Sequence, residues 1–227
     1  AHASAPSACL AWIRDHQPDR FARIGHVLAC KDWLVFCLTG RIGTDLTEAS
    51  TSFTDVRTQH FAPDILSLFG LAALSDALPS IALPDEVIGG ISAAAAAVTG
   101  LREGTPVVAG LHDVTASALG SGGYGRGTVA IVAGTYSINE TVSAEPRTDA
   151  RWFCRNGPRF GEWNAMSISP ASAANYDWFL DTLCGGDRAA AEAEGRTFHA
   201  AVIPEIQAAL ARPSTAIFHP FLFGSPH

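Results

Sequence analysis

The run Gly110-Leu111-His112-Asp113, with Gly120 seven residues after the aspartate, sets a carboxylate where a short β-branched segment gives way to a glycine and then to a helical stretch. α/β proteins place reacting groups at the ends of buried strands, and a glycine there lets backbone or ligand approach closely. A carboxylate so placed can take the proton from an attacking hydroxyl. The same side chain can instead cap the following helix by accepting its free N–H groups, and spacing alone favours that role.

A second segment, Ala133-Gly134-Thr135-Tyr136-Ser137, puts a Gly-Thr pair in a sharp turn between two strand-like runs. Consecutive N–H groups and a hydroxyl at such a turn form a nest for phosphate oxygens that needs no cation. An ordinary hairpin turn explains the same pair. The eight histidines lack metal-ligand spacing, and neither a G-x-G-x-x-G nor a Walker A sequence occurs. That sets aside a transition-metal site and the usual dinucleotide and P-loop readings.

The elements that must position these groups are drawn from 227 residues, 48% hydrophobic and 16% charged, enough for one large domain or two modest ones. A net charge of -7, a pI near 5.5 and 15 scattered basic residues argue against nucleic-acid binding and favour a small-molecule partner. The longest weakly polar run, Ile91 to Gly100, is too short for a bilayer, which needs about 20 apolar residues. No membrane segment or secretory signal is expected. Cys9, Cys30, Cys37, Cys154 and Cys184 are widely spaced, odd in number and free of C-x-x-C pairs, which predicts reduced, mostly buried thiols in a cytoplasmic protein.

Helices are predicted from Ala8 to His16, from Asp19 to Ile24, from Lys31 to Leu38 ending at Gly40, and from Pro63 through Phe69. A further one runs from Ser92, its N-cap, to Val98. Pro106 to Ala109 then reads as a strand, and Val114 to Leu119 as a helix ending at Gly120. Beyond the glycine-rich segment from Gly120 to Gly127, strands are predicted over Thr128–Ala133, Tyr136–Val142, Arg151–Cys154 and Glu162–Ile168. Helices over Pro170–Leu183 and Phe198–Leu210 and a strand over Ala216–Phe221 complete the chain. Trp12, Trp33, Trp152, Trp163 and Trp178 read as core or domain-edge anchors rather than a sugar-stacking platform.

In order and spacing, the run from Val107 to Asp113, then Ala118 to Gly122, then Val132 to Ser137, resembles the central signature of the FGGY carbohydrate kinases. The likeness extends to Lys31-Asp32-Trp33-Leu34, Leu38-Thr39-Gly40, Thr44-Asp45, Glu48-Ala49-Ser50 and Asp55-Val56-Arg57, and to the segment from Ala173 to Leu180. Gly134 to Glu140, with Phe218-His219-Pro220-Phe221 and Gly224-Ser225-Pro226, is most similar to kinases of erythritol and L-xylulose. D-xylulose, L-ribulose and glycerol kinases share the general motifs.

The resemblance implies an α/β, actin-like (ribonuclease H-like) kinase fold, with parts of two domains flanking a cleft. Residues 1–122 would be the C-terminal part of the substrate domain and residues 123–227 the N-terminal part of the nucleotide domain. By matching position, Asp113 is the expected general base, with His112 and Asp113 on the substrate side. Gly134 and Thr135 are expected at the ATP phosphates, and Ala173 and Asp177 near the nucleotide, although the family often has glycine where Ala173 stands. ATP and Mg2+ are the implied cofactors, a small sugar or polyol is the implied partner, and a homodimer is the assembly to test.

Two family pieces do not occur in this sequence: the Asp-x-Gly-Thr loop and a Gly-Gly pair that holds adenosine. Family members are also considerably longer, so the 227-residue segment is expected to show little activity alone. A catalytically inactive actin-like binding protein, or a phosphatase or ATPase on the same fold, would share much of this pattern. A carboxylate retained at the proton-accepting position speaks for the kinase.

Overall fold

In the computed structural model, residues 5–219 and residue 222 are described. The chain divides into two compact units, one from the N-terminus to Ala130 with Glu140–Ser167, the other of Ile131–Asn139 and the residues from Ile168 onward.

The first unit opens with α1 (Pro6–His16) and α2 (Pro18–Phe21), each begun by a proline whose fixed φ suits the first helical position. α3 (Cys30–Thr39) stops at Gly40 in the left-handed conformation, where a side chain would be strained. β1 (Thr44–Asp45) leads directly into the single turn α4 (Leu46–Ala49), which Asp45 caps through the Thr47 and Glu48 N–H groups. After α5 (Pro63–Leu68) and a 3-10 turn at Ala72–Ala77 comes β2 (Ile81–Ala82), which runs parallel to β1. The core lies here. Leu10, Phe53, Leu66, Leu71, Leu74 and Ala77 bury against one another, and each fully buried leucine is worth about 1.5–3 kcal/mol relative to exposure.

β3 (Val87–Gly90) pairs antiparallel with β4 (Pro106–Val108). Between them α6 (Ala93–Thr99) is capped by Ser92, whose hydroxyl accepts the Ala95 N–H at 3.2 Å. α7 (Asp113–Gly120) follows β4 after a four-residue bend. The expectation of a buried strand before Asp113 is corrected: Pro106 and Val108 are exposed, because β4 has β3 as its hydrogen-bonded partner in a two-stranded ribbon.

β5 (Val129–Ala133), β6 (Ser137–Ser143), β7 (Phe153–Asn156) and β8 (Trp163–Ser169) form a sheet in the order β5-β6-β8-β7. β7 and β8 are antiparallel, with Arg155 opposite Asn164. Two tethers hold β7 and β8 to the first part of the chain. The Asn156 amide donates to the Leu46 carbonyl at 3.2 Å, and Gln59 clasps the following loop through the Gly161 N–H and the Glu162 carbonyl.

The second unit carries α8 (Ala173–Leu183), α9 (Gly185–Ala193) and α10 (Phe198–Leu210). α9 is unannounced in the sequence reading, because a Gly-Gly start and an alanine-rich body hide its period. No strand forms over Ala216–His219; Pro220 and Phe221, and likewise Gly224-Ser225-Pro226, lie outside the described residues.

One burial expectation is also corrected. Cys9, Cys30 and Cys37 are exposed and Cys184 is buried. Of the tryptophans read as core or domain-edge anchors, Trp163 is in the core and Trp12 and Trp33 are half exposed, since α1 and α3 turn those positions outward. No helix among the described residues is long and apolar enough to cross a membrane.

Candidate functional site

Asp45 is the buried centre from which the first cluster is built. It is fully enclosed and receives the Thr47 N–H at 2.7 Å and the Thr47 hydroxyl at 2.6 Å. Lys31, reaching in from α3, sits 3.1 Å from Asp45 and 2.7 Å from Asp32, and also donates to the Ala109 carbonyl at 2.9 Å. Burial works against the Lys31 ammonium, but Asp32 and Asp45 more than offset it and hold its pKa above the ordinary value. The cation thus ties α3 and α4 to the end of β4.

That bracing reaches the candidate base through Thr47. Its hydroxyl accepts the His112 backbone N–H at 2.9 Å, fixing the bend from which α7 departs. Asp113 is the first residue of α7 and His112 occupies the capping position, without a side-chain cap bond. The capping role that spacing favoured for Asp113 is therefore not the one observed. Its Oδ1 accepts the adjacent Val114 N–H, at 2.7 Å, and the side chain is 90% exposed. A carboxylate in that state can meet an incoming hydroxyl.

Around it lie Glu48, His112 and Arg155. Burial pushes the Glu48 carboxyl above the usual range, with Lys31 pulling against it. Burial also lowers the His112 imidazole, and the neighbouring Arg155 guanidinium lowers it further. Beneath α7, Thr115 donates to buried Glu140 at 3.0 Å and accepts from Asn164 at 3.1 Å, while Tyr124 donates to Asn164 at 3.3 Å. Burial raises the Glu140 carboxyl, and its Oε2 has no hydrogen-bond partner among the described residues.

The second cluster belongs to the other unit. Gly134 and Thr135 form the turn between β5 and β6, and α8 begins against it: the Ser172 N–H donates to the Thr135 carbonyl and the Ala173 N–H to the Gly134 carbonyl, both at 3.0 Å. The Gly134 N–H is spent on the Tyr136 carbonyl at 3.0 Å, which narrows the expected nest to Thr135. Thr135 is exposed, and among the described residues nothing bonds its N–H or hydroxyl. The N-terminus of α8 adds the positive end of its dipole, a setting suited to phosphate. Asp177 is exposed one turn further along α8 from Ala173. A cavity of about 570 Å³, lined by Ser137, Ser169, Ser172, Asn175, Tyr176 and Phe179 among others, opens beside this turn. Small-molecule sites commonly fall in that size range.

The structure thus brings His112 and Asp113 together in one unit, and Gly134, Thr135 and Ala173 together in the other. Lys31, Asp45, Thr47, Arg155 and Glu140 carry no role in the sequence reading. Lys31 and Asp45 stand within segments that resemble the family, but nothing in the sequence links Arg155 to His112. Among the described residues no group of three or more His, Cys, Asp or Glu side chains is disposed to hold a metal ion.

Residues 1–120 match the N-terminal domain of the FGGY family of carbohydrate kinases, and the chain belongs to that family. It is 34% identical over 182 residues to the L-xylulose/3-keto-L-gulonate kinase of Escherichia coli (strain K12), covering 77% of this chain and 36% of that protein. It is 32% identical over 194 residues to an autoinducer-2 kinase of Enterobacter sp. (strain 638), covering 84% of this chain and 36% of the relative. The crystal structure of xylulose kinase from Rhodospirillum rubrum superimposes with a TM-score of 0.84 at 26% identity, over 99% of this chain and 44% of that one. The fold is the actin-like kinase fold of that family, and the chain spans less than half the length of these relatives.

Proposed function

We propose that the protein carrying this chain transfers a phosphoryl group from ATP to a hydroxyl of a small sugar or sugar alcohol, with L-xylulose or erythritol as the leading acceptors. Residues 1–122 belong to its substrate domain and residues 123–227 to its nucleotide domain. Asp113 takes the proton of the attacking hydroxyl as the bond to phosphorus forms, since an alcohol is a competent nucleophile only as that proton leaves. His112 stands beside it on the acceptor side. Thr135 receives phosphate oxygens through its N–H and hydroxyl, Gly134 and Ala173 shape the turn, and Asp177 lies further along the nucleotide side. An ATP donor fits a cytoplasmic enzyme.

One observation carries this reading: Asp113 is 90% exposed at the head of a helix whose cap is another residue, on a bend braced by Thr47. Asp113 Oδ1 accepts one first-turn N–H, that of Val114, and the 90% exposed side chain stays open to an acceptor. ADP release is measured with the complete protein, magnesium-ATP and separate additions of L-xylulose, erythritol, D-xylulose, L-ribulose and glycerol. Stimulation by one of them supports the proposal. ADP release that no acceptor stimulates would favour water as the nucleophile and reject it.

A further inference from the structure

Arg155 Nη1 lies 3.3 Å from His112 Nε2. A guanidinium has only donors and keeps its proton throughout the working range, so in this pair Nε2 must be the acceptor. A neutral imidazole whose Nε2 accepts carries its proton on Nδ1. That Nδ1 is buried, has no aligned hydrogen bond among the described residues, and stands 3.3 Å from Asp113 Oδ1. The distance describes a close approach and the absent bond describes poor alignment. A small rotation of the exposed Asp113 side chain would bring the two into line.

We infer that Arg155 is a positioning residue, which fixes His112 as the Nδ1-protonated tautomer and so aims an N–H at the carboxylate of Asp113. Arg155 is itself well anchored. It lies on β7 opposite Asn164, and its neighbour Asn156 is bonded to the Leu46 carbonyl at the start of α4. Thr47, on the same turn, holds the His112 backbone. Both ends of the Arg155–His112 pair are therefore referred to one short helix. Burial and the Arg155 charge both disfavour the His112 cation, with Asp113 and Asp45 pulling the other way, and the net direction is downward.

An N–H given to Oδ1 orients the carboxylate and leaves its other oxygen for the acceptor hydroxyl, the logic by which a third group orients a base. With Nε2 occupied by Arg155, His112 does not compete with Asp113 for that proton. The catalytic consequence rests on the reading of Asp113 as the base; the tautomer assignment does not.

The complete protein is prepared with nitrogen-labelled histidine rings, and long-range nitrogen–proton correlation spectra are recorded for wild type, R155M and R155K, with H112Q identifying the His112 signals. The expected result is an Nδ1-protonated His112 in wild type and R155K, shifting toward the Nε2-protonated form in R155M. R155M should also lower kcat about 10²-fold with the KM for ATP unchanged, the scale of a misplaced catalytic group, and R155K should recover part of the loss. An Nε2-protonated His112 in the wild-type protein overturns the inference and requires no variant to fold. An unchanged tautomer in R155M overturns it equally. If Asp113→Asn kept full turnover while the tautomer behaved as expected, the assignment would stand and the kinase mechanism would fall.

Discussion

The Thr47 hydroxyl accepts the His112 backbone N–H at 2.9 Å and gives its own proton to buried Asp45 at 2.6 Å, so one side chain joins an enclosed charge to the bend that presents Asp113. Thr47→Val keeps the shape and removes both bonds. It is expected to destabilise the protein by about 1–3 kcal/mol, the usual cost of stranding buried polar groups. Urea denaturation measures this, and Thr47→Ser should restore most of it.

Lys31 is paired with two buried carboxylates, Asp32 and Asp45. Lys31→Met leaves that charge uncompensated and is expected to cost about 3–5 kcal/mol. Adding Asp45→Asn to the same protein should recover part of the loss. Equal destabilisation of the single and double variants would show that the pair is not coupled.

Glu140 predicts a pH dependence. Burial raises its pKa in the folded protein, and the Thr115 bond, the Arg155 charge and the Asn164 bond only partly oppose this. A carboxyl raised on folding contributes most below its unfolded pKa, and that contribution is lost as pH rises through the folded value. Wild type should therefore lose stability relative to Glu140→Gln as pH climbs above about 4.5. Denaturation of both proteins at acidic and neutral pH gives the comparison. A constant difference would mean that Glu140 does not titrate as its burial implies.

Thr135 offers an exposed hydroxyl beside the α8 N-terminus. Thr135→Val should raise the KM for ATP about tenfold or more, since a hydrogen bond to a charged group is worth about 1.5–3 kcal/mol. The KM for the sugar should be unchanged. Initial-rate kinetics with each substrate varied in turn separate the two.

Local signals made much of the scaffold legible. Gly40, Pro63, Ser92 and the run from Phe198 to Leu210 mark helix boundaries through backbone and capping chemistry that acts within a few residues, and those elements stand where the sequence places them. The two-residue strands β1 and β2 and the single turn α4 are too short to carry a period, and their geometry comes from packing. The candidate base was visible as Asp113, but its surroundings were not. Arg155 meets His112 from 43 positions away and Thr47 from 65, contacts that no local pattern encodes.

The most direct test of the central claim is the turnover of Asp113→Asn in the complete protein, with ATP binding measured alongside. The account predicts a loss of about 10²–10⁴-fold in kcat, the range for a positioned general base, with nucleotide affinity and thermal stability close to wild type. Because Asp113 is exposed and its hydrogen bond is to the N–H of the next residue, the substitution should not disturb the fold. Acceptor-stimulated turnover at the wild-type rate in Asp113→Asn would contradict the assignment of the base.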